Sequence, residues 1–206
     1  MAPKTHASPI GVMPFGNLIT PEPDLSDRMV WQGSLRIPNE AIVSMLEAID
    51  EAIVEKRKLD PSFPSDAEKL AMPFKPAEDT NPDNPDGPRI PSKTDTLFKF
   101  VRKLEYKDKT GTLRQRSAPT LYDGKGTVVN SIVKEIGWGS EGRFYYRVLP
   151  YDFKGKKGIS LAIEGFQIKE LKTRENSIAA APIEGGWIAP PSDEVDMAGM
   201  AEALAD

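Results

Sequence analysis

The sequence predicts a mainly β protein: a small, strongly curved barrel of five to six strands with one packed α-helix and long irregular loops. Three observations carry this. Between Lys125 and Lys172, three apolar, β-rich runs (Thr127–Ile136, Arg143–Phe153 and Ile159–Leu171) are separated by Gly-rich joints, GWGSEG (137–142) and KGKKG (154–158). Val, Ile, Tyr and Phe dominate the runs, and Gly, Ser and Lys the joints, which is the composition of a strand meander. Only residues 38–59 show a convincing helical spacing, and the 19 prolines consign much of the remainder to loops.

In chain order, residues 1–27 hold five prolines and no sustained period, which reads as an N-terminal, partly extended arm. Arg28–Ile37 reads as a strand with Met29, Trp31, Gly33, Leu35 and Ile37 on one face and Val30 as an exception; Gly33 marks a bulge or bend, and Trp31, among aliphatics, is assigned to the core. Asn39–Leu59 reads as the helix. Asn39 can cap its first amides and Glu40 complements its positive end. Ile42, Leu46, Ile49 and Ile53 form one apolar stripe, Lys56, Arg57 and Lys58 sit at the negative end, and Pro61 stops the helix.

Residues 60–92 contain eight prolines and read as a long irregular connection, since NPDNPDGP (81–88) supports neither helix nor ladder. A loop of that length is usually functional or disordered, and it is expected to fold over the sheet as a flap. Thr94–Tyr106 alternates strictly, turns at Asp108–Gly111 and returns over Thr112–Tyr122 as a basic hairpin. Phe98, Phe100, Arg102, Leu104 and Tyr106 share one face, and Leu97, Lys99, Val101 and Lys103 the other. Alternation alone leaves open which face is core. Asp123–Gly124 then leads into the meander. Short strands, high curvature and one helix suggest a Greek-key barrel of the OB type. Residues 28–174 are expected to form that domain, and residues 175–206 a flexible acidic tail.

The net charge of −4 conceals a segregation. Residues 1–88 carry 8 Lys/Arg against 15 Asp/Glu, residues 89–174 carry 19 against 9, and residues 175–206 carry none against 7. A basic middle between acidic flanks points to a polyanion-binding body with an acidic tail. There is no Cys, which excludes a disulfide framework, a thiol nucleophile and a thiolate metal site. The single His, His6, gives no support to His-based acid–base catalysis or a His-rich metal site. GKG at 124–126 lacks the rest of a phosphate-binding loop. No apolar run approaches ~18 residues, so no membrane span is expected, and the N-terminus is a poor targeting signal. No cofactor is implied.

The meander is basic and aromatic at once, which suits an unpaired nucleic-acid strand: charge tracks phosphates and rings stack on bases. Tyr145 lies between Arg143 and Arg147 on one strand face, and Tyr151 and Phe153 continue that face toward Lys154, Lys156 and Lys157. Lys99, Arg102, Lys134 and Trp138 complete the candidate binding set. Phe144, Tyr146 and Val148 alternate with the outward residues and are assigned to the core.

These residues also carry a resemblance. GTVVNSIVKEIGW, then FYYRVLPYDFKGKKGISLAIEGFQI, resembles the C-terminal half of a family of bacteriophage single-stranded-DNA-binding proteins. The carrying features are the aromatic and basic strand ending at Pro150–Tyr151, the Lys-Gly turn, Gly158 and the Gln167 run. The likeness spans about 125–171 and is looser over 28–37 and 94–122. It implies an OB-fold, binding of single-stranded DNA without strong sequence preference, a role in phage replication and recombination, and residence in the host cytoplasm. Many such proteins end in acidic residues followed by an aromatic, whereas this chain ends AEALAD, so docking of replication or recombination proteins on the tail is only a candidate property. Two other classes remain: a metal-dependent nuclease using Asp95, Glu105, Asp108, Asp123 and Glu135, and a phage structural protein with a DNA-contacting face.

Overall fold

The computed structural model describes residues 4–108, 110–129, 136–153 and 155–172. In chain order these form β1 (His6–Ala7), β2 (Gly11–Pro23), β3 (Met29–Pro38), helix α1 (Val43–Leu59), β4 (Phe74–Asp79), β5 (Ile90–Lys103), β6 (Glu105–Lys107), β7 (Leu113–Gln115), β8 (Thr120–Tyr122), β9 (Ser140–Phe153) and β10 (Lys156–Glu170). β2 pairs with β3, β3 with β5, β5 with β10 and β10 with β9, and β9 returns to β2. Five strands thus close on themselves, the fourth returning to lie beside the first in a Greek key. All these pairings are antiparallel except β5–β10. β1 extends the sheet beside β9, β4 beside the N-terminal half of β5, and β8 beside β10. The mainly β, OB-like barrel with one helix is therefore as the sequence predicts.

The barrel interior is a stack of rings. Phe144 lies 4.4 Å from Phe100 and 4.7 Å from Phe166, and Phe100 meets Tyr146 edge-on at 5.4 Å. Phe144, Tyr146 and Val148 are buried, as their alternation predicts. Trp31 is buried too, its indole N–H donating to Ile19 O at 3.2 Å. Helix α1 packs against β9 through Met45, Ala48, Ile49 and Ile53.

Several expectations are corrected. Residues 11–23 are a barrel strand and not an arm; Met13 and Leu18 are in the core. Two register shifts, one spanning Pro14 and one between Asn17 and Glu22, break the alternation that would have revealed β2. In β3, Val30 is buried and Met29 exposed. Gly33 marks no irregularity against β5. It makes room for Phe144, whose Cζ would lie 2.7 Å from a Cβ there. Asn39 caps no helix: Val43 starts α1 after a single 3-10 turn, and the Asn39 side chain instead bridges to Lys93 O and the Thr96 hydroxyl of β5.

The proline-rich connection is partly ordered by pairing and burial. It contributes β4, buries Phe63 and Leu70, and pairs Ala71 with Gly158. The predicted hairpin is reduced to β6 and β7, because β5 ends at Lys103 and β8 pairs in parallel with β10 instead of returning along β5. Of the first meander run, Val128 makes only an isolated bridge to Tyr122 and Ile136 is buried; residues 130–135 lie outside the described residues.

Burial pushes the Tyr146 phenol up to about 12 from its usual 10. Its folded value exceeds its unfolded value, so the associated stability is present below about pH 10 and is lost as pH rises toward 12. Urea unfolding between pH 10 and 12 should show a loss of about 2–3 kcal/mol from this group. The Tyr146→Phe variant should lack that component; an identical alkaline loss in the variant would assign it elsewhere.

Candidate nucleic-acid interface

The outward residues of β9 form one line: Arg143, Tyr145, Arg147, Leu149, Tyr151 and Phe153. The strand period of two forces this, because Phe144, Tyr146 and Val148 take the inner side. Alternate residues stand roughly 6.6 Å apart along a strand, so rings and guanidinium groups recur at regular intervals across the barrel surface. Tyr145 is held firmly. Its hydroxyl donates to Gln167 Oε1 at 3.1 Å, its ring meets Tyr122 edge-on at 5.6 Å, and Gln167 in turn donates to Asp123 O at 3.2 Å. Beside this pair opens a cavity of about 340 Å³ lined by Thr5, Tyr122, Gly126, Tyr145, Glu164 and Gly165.

Arg147 and Arg102 converge on Glu164. Arg147 donates to Glu164 Oε1 from Nε at 2.6 Å and places Nη2 2.5 Å from the same oxygen. Arg102 Nη1 lies 3.3 Å from Oε2. Arg102 also donates to Ser117 O at 3.0 Å and to Ile163 O at 2.8 Å. Along β10, the pairing with β5 stops at Ala162 and that with β8 begins at Gly165. The Arg102 guanidinium lies at the gap between them and donates to the Ile163 carbonyl there.

At the far end of the line, Tyr151 and Phe153 are 36% and 63% exposed and flank the β9–β10 turn. Tyr151 can lie against β10 because residue 158 is Gly; a Cβ there would stand 2.6 Å from Tyr151 Oη and 2.6 Å from Ala71 O. The two turn lysines differ. Lys156 is exposed and makes no ion pair among the described residues. Lys157 is half-buried, donates to Ser62 O at 3.0 Å and lies 3.5 Å from Asp152 Oδ2. It fastens the proline-rich connection to the turn, a role invisible without the tertiary contact.

The remaining candidates scatter. Lys99 is exposed on the outside of β5, beside Ser34 of β3. Arg143 lines a smaller cavity with Gln167 and Lys169. Trp138 is 79% exposed but precedes β9, at the opposite end of that strand from Tyr151. Lys134 and Lys154 lie outside the described residues, as does the acidic tail. Tyr122 and Glu164 adjoin Tyr145 and Arg147 and were not singled out from sequence; a three-residue strand and a bulge leave no periodic signal. Three of the carboxylates considered for a metal are engaged separately, and Glu105 is exposed on β6. Asp95 accepts from Arg36, Asp123 from the amides of Lys125 and Thr127, and Asp108, held low by the Thr110 hydroxyl and by Arg114, closes the hairpin turn. Glu135 lies outside the described residues.

Solved structures provide the comparison. gp2.5, a single-stranded DNA binding protein encoded by bacteriophage T7, matches with a TM-score of 0.58 at 23% identity, covering 84% of this chain and 95% of that one. The single-stranded DNA-binding protein from bacteriophage Enc34, in complex with single-stranded DNA, matches with a TM-score of 0.57 at 14% identity, covering 82% and 87%. The chain has the fold of these bacteriophage single-stranded-DNA-binding proteins. No family model and no curated protein sequence matches it.

In OB barrels, oligonucleotides commonly lie on the face of the second and third barrel strands, between the loop joining strands one and two and that joining strands four and five. In this chain those are β3 and β5, the Asp24–Arg28 turn and the β9–β10 turn. Arg36 on β3 is already committed to Asp79 and Asp95, at 2.6 Å each. Lys99 and Lys103 on β5 have no ion pair among the described residues. Residues 71–74 link the two regions, pairing with Gly158 at one end and Phe98 at the other.

The turn lysines yield a stability contrast. Lys157→Ala should lower unfolding free energy by about 1 kcal/mol, the size of one hydrogen bond at a partly exposed position. Lys156→Ala should change it by less than about 0.5 kcal/mol. Equal effects in chemical denaturation would contradict the assigned roles.

Proposed function

We propose that this protein binds single-stranded DNA without strong sequence preference and without catalysis, in the service of phage DNA replication or recombination. The observation that carries the reading is the outward line on β9, where Tyr145 stands between Arg143 and Arg147 and Tyr151 and Phe153 continue the same face of the barrel strand. Rings accept any base by stacking, and cations track a phosphate chain irrespective of sequence. The T7 and Enc34 single-stranded-DNA-binding proteins share the fold, which supports the same reading.

Fluorescence anisotropy with a labelled oligo(dT) and its duplex, across a salt series, tests this. Log affinity for the single strand should fall linearly with log salt, with a slope of about −0.7 per phosphate neutralised, and the duplex should bind more weakly. Tyr151→Ala and Phe153→Ala should each weaken binding by about 1–3 kcal/mol in a protein that still unfolds cooperatively. Equal affinity for duplex, or no binding of the single strand, would sink the proposal.

The seven acids among residues 175–206, with no Lys or Arg, place a polyanion on the same chain as the basic surface. A tethered competitor acts at a high effective concentration. Deleting residues 190–206 should therefore tighten single-strand binding, most at low salt where screening is weakest. A truncated protein that binds no more tightly at low salt would exclude this competition.

A further inference from the structure

Two guanidinium groups share one carboxylate on the barrel surface, and Arg116 follows closely, because Arg102 Nε donates to the carbonyl of its neighbour Ser117. Glu164 is the extra residue of a bulge in β10: Ile163 pairs with Tyr146 and Gly165 with Tyr145, leaving Glu164 unmatched. A bulge re-aims a side chain that the strand period would otherwise dictate, and here it brings the carboxylate to Arg147 and Arg102. Both arginines are thereby ordered, with side chains only 29% and 14% exposed.

Arg116 is the third member. Its backbone N–H donates to Leu104 O at 2.8 Å, and its guanidinium lies over the Tyr106 ring, 4.6 Å from the centroid. No carboxylate pairs with it among the described residues. Burial, then Arg102 and Arg147, push its pKa down, and the attraction of Glu164 does not offset them. The group thus carries more positive charge than its own acid balances, in a partly desolvated place where an added anion gains most. Guanidinium groups present paired, planar donors that match phosphate oxygens. Glu164 also lines the cavity beside Tyr122 and Tyr145, so the charged cluster and an aromatic recess adjoin.

We propose that Arg102, Arg116 and Arg147 form a subsite for one backbone phosphate of a DNA strand, pre-ordered by Glu164, with the adjoining base entering the Tyr122–Tyr145 cavity. This rests on the single-strand-binding reading and adds Arg116 and Glu164 to it. Glu164 has a double effect: it holds two arginines in place, and it withholds part of their charge from the incoming phosphate.

The full chain, its Arg116→Gln, Arg116→Lys and Glu164→Gln variants, and oligo(dT) suffice for the test. Arg116→Gln should bind about tenfold more weakly at low salt, with a salt slope shallower by about 0.7. Arg116→Lys should recover the slope, since the charge returns, but not the full affinity, since the fork of donors does not. Glu164→Gln should bind more tightly at low salt, with a steeper slope. If the wild type binds oligo(dT) and Arg116→Gln matches it in affinity and slope, or Glu164→Gln binds no more tightly, the subsite is overturned and the broader reading survives. If the wild type binds no oligonucleotide, that reading falls. A titration with inorganic phosphate, followed by NMR at the arginine Nε–H groups, then decides the subsite: a shift at Arg116 upholds the anion site, and no shift overturns it.

Discussion

The closure of β9 onto both β10 and β2 is the constraint from which the rest of the architecture follows. β9 pairs with β10 along nearly its whole length and with β2 at its N-terminal end, so it converts an open sheet into a ring and removes two edges. Closure also compresses the interior enough that Phe100, Phe144 and Phe166 stack at 4.4–4.7 Å. Gly33 is required where it stands because Phe144 occupies the space a side chain would need. Ser140 secures the start of the strand: its hydroxyl lies 2.9 Å from Gly137 O and accepts from Lys172 N–H, also at 2.9 Å. The two ends of the β9–β10 hairpin are thereby tied together.

The same closure creates the surface. Phe144, Tyr146 and Val148 fill inner positions of β9, so Arg143, Tyr145, Arg147, Tyr151 and Phe153 are delivered outward in one line. Long neighbouring strands would normally fix all the side chains beside that line by a strict period of two. They do not here, because β5 leaves β10 after Ala162 and β8 takes over at Gly165. The interruption leaves a carbonyl for Arg102, a bulge for Glu164 and a recess beside Tyr145. Irregularity in one short stretch of β10 thus supplies the chemical variety of the face, while the regular strand beside it supplies rigidity.

The proline-rich connection extends this division of labour. Its prolines prevent a helix, and NPDNPDGP remains turns, but Phe63, Leu70 and Ala71 anchor the preceding part to the barrel. Lys157 links that part to the β9–β10 turn through Ser62. One side of the turn is therefore braced, while Phe153 and Lys156 remain exposed.

Periodicity and composition alone determined the mainly β class, the helix with Ile49 and Ile53 of its stripe buried, the core assignment of Phe144, Tyr146 and Val148, and the outward line of Arg143, Tyr145, Arg147, Tyr151 and Phe153. All of these are local consequences of side-chain spacing and are legible in one strand or helix at a time. Tertiary structure decided what depends on pairing between distant segments. β2 is a barrel strand despite Pro14 and its broken register, because β3 and β9 supply its partners. Asn39 serves β5 and not the helix, because Lys93 and Thr96 lie within reach. Lys156 and Lys157, alike as neighbours in the chain, part company because only Lys157 meets Ser62. Arg116 and Glu164 join the site only when β10 bulges and β5 gives way to β8, events set by strand competition that no single stretch of sequence records.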